Sequence, residues 1–171
     1  MANHSFVNTT RMTCWDVDAY NAAGIAEVNL DNGQLVTRGD LYLKDGTGGY
    51  EFKVSKPAAN ATKLWIIDTP EVGTTLDAQI HNDPRYFYNI AGQPMSIRYL
   101  VPEVDFIEVP ALAFATAPVT ASTVASVNTD GWLVAGTSAP ANGTYFSIAG
   151  THTIDIGQEI VTTYILKCER N

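Results

Sequence analysis

The chain has 171 residues, 46% of them hydrophobic, with 10 Lys+Arg against 18 Asp+Glu and a net charge of −8. That length suits one domain, or one domain with a small annex, whose core needs no staples. The acidic balance, with a pI near 4.6, excludes a phosphate-tracking nucleic-acid surface and docking on an anionic membrane, and the charged fraction of 16% is well below the globular norm of about 25%.

Residues 1–20 contain neither an apolar run of signal-peptide length nor a basic leader, so a soluble cytosolic product is expected. Asp16 and Asp18 read as one side of a strand, where a hard cation could bind, although a solvated pair is the plainer outcome. The segments AEVNL (26–30) and QLVTR (34–38) flank Asn32-Gly33 and predict a tight hairpin with positive φ at Gly33, so Gly33→Val should cost stability. A second hairpin, with a looser loop from Asp45 to Gly49, is predicted from the alternation of Leu41 and Leu43 with Tyr50, Phe52 and Val54. Further strands are expected over 63–68, 95–101, 106–109, 132–135, 144–149 and 159–168, with tight turns at Asp130-Gly131 and Asn142-Gly143. The last strand, EIVTTYILKC, is the longest β-branched run and should be central.

One short helix, about 84–91, is predicted between an Asp83 cap with Pro84 behind it and the Gly92/Pro94 stop. Its face of Phe87, Ile90 and Ala91 would plug a sheet, with Phe87 in the core and Tyr86 or Tyr88 at a contact rim. The expected class is all-β: an antiparallel β-sandwich or small barrel built from hairpins, with this one helix.

Every basic residue except Lys167 and Arg170 lies at or before Arg98, and residues 109–129 carry no charge at all. That Ala/Val/Thr/Pro-rich stretch reads as an extended arm lying against another surface, within a single β-rich domain 1–171. A core (1–108) would precede the arm and a C-terminal hairpin region (130–171) would follow it. The expected partner contacts are Pro110, Leu112, Phe114, Val119 and Val124, together with Tyr86 and Tyr88. Deleting 110–128 should then spare folding and abolish partner binding.

Motifs for chemistry are sparse. There is no G-x-S-x-G elbow, no phosphate-cradling glycine loop, and His4, His81 and His152 have no metal-ligand spacing; His81 reads as a turn residue. Cys14 and Cys168 are too few for a zinc site and are expected as half-buried, reduced thiols on terminal strands. Glu103 and Asp105 would share a strand face near Glu108, a spacing that suits a glycosidase acid pair, but no aromatic cleft accompanies them. No catalytic, cofactor-binding or metal residue is therefore assigned.

Three segments carry a family likeness: KLWIIDTPEV (matching over Leu64–Glu71), FYNIAG (Phe87–Gly92) and RYLVPEVDFIEV (Arg98–Val109). Together with the terminal EIVTTYILKCE, they resemble the small capsid-decoration (cement or head-fibre-like) proteins of tailed bacteriophages. The likeness covers about half the chain. Where the family's strand pair often turns through Gly-Asp, this chain has Pro102-Glu103-Val104-Asp105. The resemblance implies a non-enzymatic virion protein, made in the host cytoplasm and bound to the capsid exterior. Its partners would be the major capsid protein and neighbouring copies of itself in a homo-oligomer, without cofactor, nucleic acid or membrane. The competing expectations are a carbohydrate-type binding module using Trp15, Trp65, Trp132 or Tyr145, and a small enzyme using Glu103, Asp105 or His81.

Overall fold

A computed structural model of the chain describes residues 3–44, 47–71, 84–156 and 159–171. Asp45-Gly46, His81 and the Asp83 cap lie outside them. Five strands, β2 (Asn21–Ala26), β3 (Leu35–Lys44), β4 (Thr47–Ser55), β5 (Trp65–Ile67) and β6 (Pro94–Tyr99), close into a barrel in the order β2-β4-β3-β5-β6. Seven others form an open sheet: β1 (Asn8–Arg11), β7 (Phe106–Pro110), β8 (Phe114–Thr116), β9 (Val124–Val127), β10 (Leu133–Gly136), β11 (Tyr145–Ile156) and β12 (Glu159–Arg170). Their order is β1-β7-β12-β11-β9-β10-β8. The fold is all-β, as expected, and contains both a small barrel and a sheet packed on it. Two pairings, β2 with β4 and β8 with β10, run parallel, which a fold of hairpins alone would not contain.

The apolar run Leu64–Ile67 explains how barrel and sheet share one body. Successive side chains of a strand face opposite ways, and here both faces are buried. Leu64 and Ile66 point into one core with Leu35, Ile107, Leu133, Phe146 and Leu166, whereas Trp65 and Ile67 point into the barrel with Val36, Met95 and Ile97. A strand buried on both sides must read as continuous hydrophobics rather than alternating ones. The β3–β5 wall is thus common to two cores. Polar ties reinforce it: the Leu35 amide donates to the Gly131 carbonyl at 2.9 Å, and the Asn171 amide donates to the carbonyls of Leu64 and Leu100 at 2.9 and 2.8 Å.

Several local expectations hold. The strand pair β3–β4 forms, β9 and β10 make the Asp130-Gly131 hairpin, and β12 is central between β7 and β11. Others give way to tertiary pairing. Gly33 has the expected positive φ of 85°, but its flanks part company, since Leu35 pairs with Ile66 and Leu30 bridges to Asn89. That same bridge stops the expected helix (about 84–91): only a 3-10 turn over Pro84–Tyr86 forms, because both backbone groups of Asn89 bond Leu30 (2.8 and 3.0 Å) instead of a helical neighbour. Phe87 is consequently half-buried and Ile90 exposed, not core.

The expected arm 109–129 is corrected too. It supplies the end of β7, the 3-10 turn Ala111–Ala113, β8 and β9, and it buries Ala113, Phe114 and Ala125 in the shared core. Val109, Pro110, Ala113, Phe114 and Ala125 are buried in its own fold, whereas Leu112 and Val119 are exposed. Deleting 110–128 would remove two strands and is expected to unfold the sheet rather than spare it.

Candidate functional site

Of the expected contact residues, Pro110 and Phe114 are buried and Val124 is half-buried in β9 between β10 and β11. Leu112, Val119, Tyr86 and Tyr88 are exposed, and the Tyr88 ring is stacked on His4 at 4.8 Å. The seven do not form one surface element. Of the residues expected in an aromatic platform, Trp65 lies inside the barrel wall and Trp132 and Tyr145 are half-buried, while Trp15 is exposed, with its indole N–H donating to the Thr9 carbonyl (2.7 Å) and Arg98 over its ring.

Of the carboxylates singled out in the sequence, Asp16, Asp18 and Glu103 are exposed, whereas Asp105 is buried. Asp16 caps the end of the 3-10 turn Thr13–Trp15 and Asp18 opens the next, Asp18–Tyr20, so the two do not lie along a strand. Glu103 occupies the loop between β6 and β7 with a φ of 65°, so it shares no strand face with Asp105. Asp105 is fully buried and accepts from the Thr13 amide (2.7 Å), the Thr13 hydroxyl (2.6 Å) and the Val101 amide (2.7 Å). Among the described residues no group of three or more His, Cys, Asp or Glu could hold a metal ion.

Both cysteines are free, buried and in the same core, rather than half-buried, and Cys14 belongs to the turn Thr13–Trp15 rather than to a strand. Burial raises the Cys14 pKa against the opposing charge of Arg98. Burial, helped by the charges of Asp105 and Glu169, pushes the Cys168 thiol up to about 12. Such thiols stay protonated at neutral pH and are poor nucleophiles.

Two surfaces of the described residues bear on function. The first is the β3–β4 ribbon. β3 pairs with β5 only at Leu35 and Val36, and β4 pairs with β2 only from Glu51 to Val54. Beyond Leu41 and Tyr50 the ribbon therefore has no strand on either edge among the described residues. Leu41 lies opposite Phe52 and Leu43 opposite Gly48, which puts Leu41, Leu43, Tyr50 and Phe52 on one face. Leu43 is 60% and Tyr50 92% exposed. At its base Arg38 is clamped over the rings of Phe52 and Trp65 at 4.5 and 4.3 Å.

The second is a groove of about 390 Å3 on the outer face of β1, β7, β12 and β11. Glu108 stands at its centre. Its Oε1 accepts from the Thr163 hydroxyl and from His152 Nδ1 (2.9 Å), and its Oε2 accepts from the Asn8 amide (3.3 Å). Partial burial opposes ionisation of Glu108, but the bonds from Thr163, His152 and Asn8 outweigh it and hold the pKa below the usual carboxylate value. Sequence reasoning missed this cluster because its members come from four strands; only the register of β7, β11 and β12 brings them together.

Among the described residues no helix is long and apolar enough to cross a membrane. Comparison of the chain with protein-family models, with curated proteins and with solved structures gives no match.

Proposed function

We propose that the chain is a non-enzymatic virion structural protein, a decoration or cement subunit that binds the outer surface of a phage capsid and stabilises the shell. The observation that carries this reading is the bare apolar face of the β3–β4 ribbon, with Leu43 and Tyr50 largely in solvent. A two-stranded ribbon without neighbours is marginal in water, and contiguous exposed apolar side chains mark a surface that is covered in use. The roles of the carboxylates favour the same reading, because Asp105, Asp68 and Glu108 hold strands and turns together. The resemblance carried by Leu64–Glu71, Phe87–Gly92 and Arg98–Val109 supplies the identity of the surface: the assembled shell, with neighbouring copies of the chain beside it. A subunit that binds only the assembled form shifts the equilibrium toward that form.

Co-sedimentation with shells of the major capsid protein tests the reading. The double variant Leu43→Asp/Tyr50→Ala should melt within about 2 °C of the parent chain, because both side chains are exposed. It should bind shells at least tenfold more weakly, since about 1.4 kcal/mol of lost burial corresponds to a factor of ten. Binding equal to that of the parent would overturn the ribbon as the gripping surface.

A further inference from the structure

The outer-face groove has features that a merely solvated sheet does not require. Glu108 is held from three other strands, by Asn8 of β1, Thr163 of β12 and His152 of β11, so its orientation is set before any ligand arrives. An ionised carboxylate offers about four acceptor positions, and three donors occupy them here; Oε2 has only the long bond from Asn8 and keeps a lone pair for the groove. Beside it, Arg11 lines the groove and makes no hydrogen bond or ion pair with the described residues, leaving its guanidinium donors free.

Phe106 and Ile165 add apolar side chains to a lining that also contains Thr10. Phe106 lies next to Arg11 across the β1–β7 pairing, and Ile165 lies next to Glu108 across the β7–β12 pairing. Gly150 of β11 pairs with Ile165, and a Cβ placed on it would meet nothing within 4 Å. The strand at that point is kept low, and the space above it is open.

We propose that this groove binds a neutral sugar ring. A pyranose presents hydroxyls around its rim and an apolar C–H face. The groove matches the first with a fixed acceptor (Glu108) and free donors (Arg11), and the second with Phe106 and Ile165. One cation and one carboxylate side by side disfavour a ligand of either net charge. The volume is at the lower end of small-molecule sites, which begin near roughly 300 Å3, and fits one or two rings. This inference goes beyond capsid decoration and does not rest on it: the site is on the sheet, away from the β3–β4 ribbon, and its occupancy is measurable on the isolated chain.

The test is a titration of the full 15N-labelled chain with the methyl glycosides of glucose, galactose, mannose and N-acetylglucosamine, and separately with inorganic phosphate. At least one glycoside should give saturable amide shifts at Asn8, Arg11, Glu108, Gly150 and His152, with a millimolar dissociation constant. Arg11→Ala and Glu108→Gln should each weaken that binding about tenfold, the effect of losing one charge-assisted hydrogen bond. Gly150→Trp, which fills the open space, should abolish it. Arg11→Ala removes no internal bond and should keep the parent spectrum elsewhere, so its result stands even if another variant misfolds. The proposal is overturned if no glycoside gives saturable shifts in the groove, if Arg11→Ala binds like the parent, or if phosphate occupies the same amides more tightly than every glycoside.

Discussion

Replacing Asp105 with alanine is expected to lower the unfolding free energy by about 3–5 kcal/mol. The side chain is completely buried and takes three donors: the Thr13 amide and hydroxyl and the Val101 amide. Its backbone carbonyl also accepts from the Cys168 amide at 2.9 Å, so one residue joins the N-terminal turn, the loop between barrel and sheet, and the central strand β12. Alanine leaves those donors buried without an acceptor, and each such orphan costs about 1–3 kcal/mol. Domains of this size are stable by only about 5–15 kcal/mol, so the variant should be close to unfolding at physiological temperature. Asp105→Asn, which keeps one acceptor oxygen, should recover part of the loss. Denaturant midpoints at constant slope measure both. A loss below about 1 kcal/mol for alanine, small beside that buried-donor penalty, would mean that the loop is held by something other than this carboxylate.

The second large effect is expected at Gly131. Its φ is 83°, and a Cβ there would press into the backbone carbonyl of Leu35, the residue whose amide donates to the Gly131 carbonyl. Gly131→Val therefore combines left-handed strain with a clash that only a shift of β3 against the β9–β10 turn can relieve. A cost of about 3 kcal/mol or more is expected, against about 1–2 kcal/mol for left-handed strain alone. Gly92 supplies the control, because its φ is 76° but a Cβ there meets nothing within 4 Å. Gly92→Ala should thus cost the strain alone, and equal losses at the two positions would contradict the tight seating of the turn on the barrel wall.

These two positions also show what the sequence makes legible. Asp130-Gly131 announced its own hairpin because turn chemistry is local, and the β-branched run 159–168 announced a central strand. Asn32-Gly33 announced its turn equally well, yet the hairpin inferred from it does not exist. Where the flanking strands go is decided by partners far along the chain, Ile66 for Leu35 and Asn89 for Leu30. The Pro84 helix failed for the same reason, since a segment of two turns is too short to resist a competing bridge. The charge-free stretch 109–129 reads as an arm against a partner, yet it forms the end of β7, β8 and β9 and leaves Leu112 and Val119 exposed, because composition alone does not tell a partner-facing arm from strands of the chain's own sheet. Glu108 and His152 are 44 residues apart, and neither carries a motif; the candidate groove is a product of register, which period-two patterning alone leaves open. The apolar face of the ribbon, by contrast, was present as the alternation of Leu41, Leu43, Tyr50 and Phe52. What the sequence did not reveal is that this alternation faces solvent rather than a core.

The central claim is that the chain covers and stabilises a capsid shell. Its most direct test is the heat-induced disassembly of shells of the major capsid protein, followed by calorimetry with increasing amounts of the chain. The expected result is a disassembly midpoint that rises and then levels off at a fixed number of chains per capsid subunit. A midpoint unchanged at saturating chain would contradict the claim.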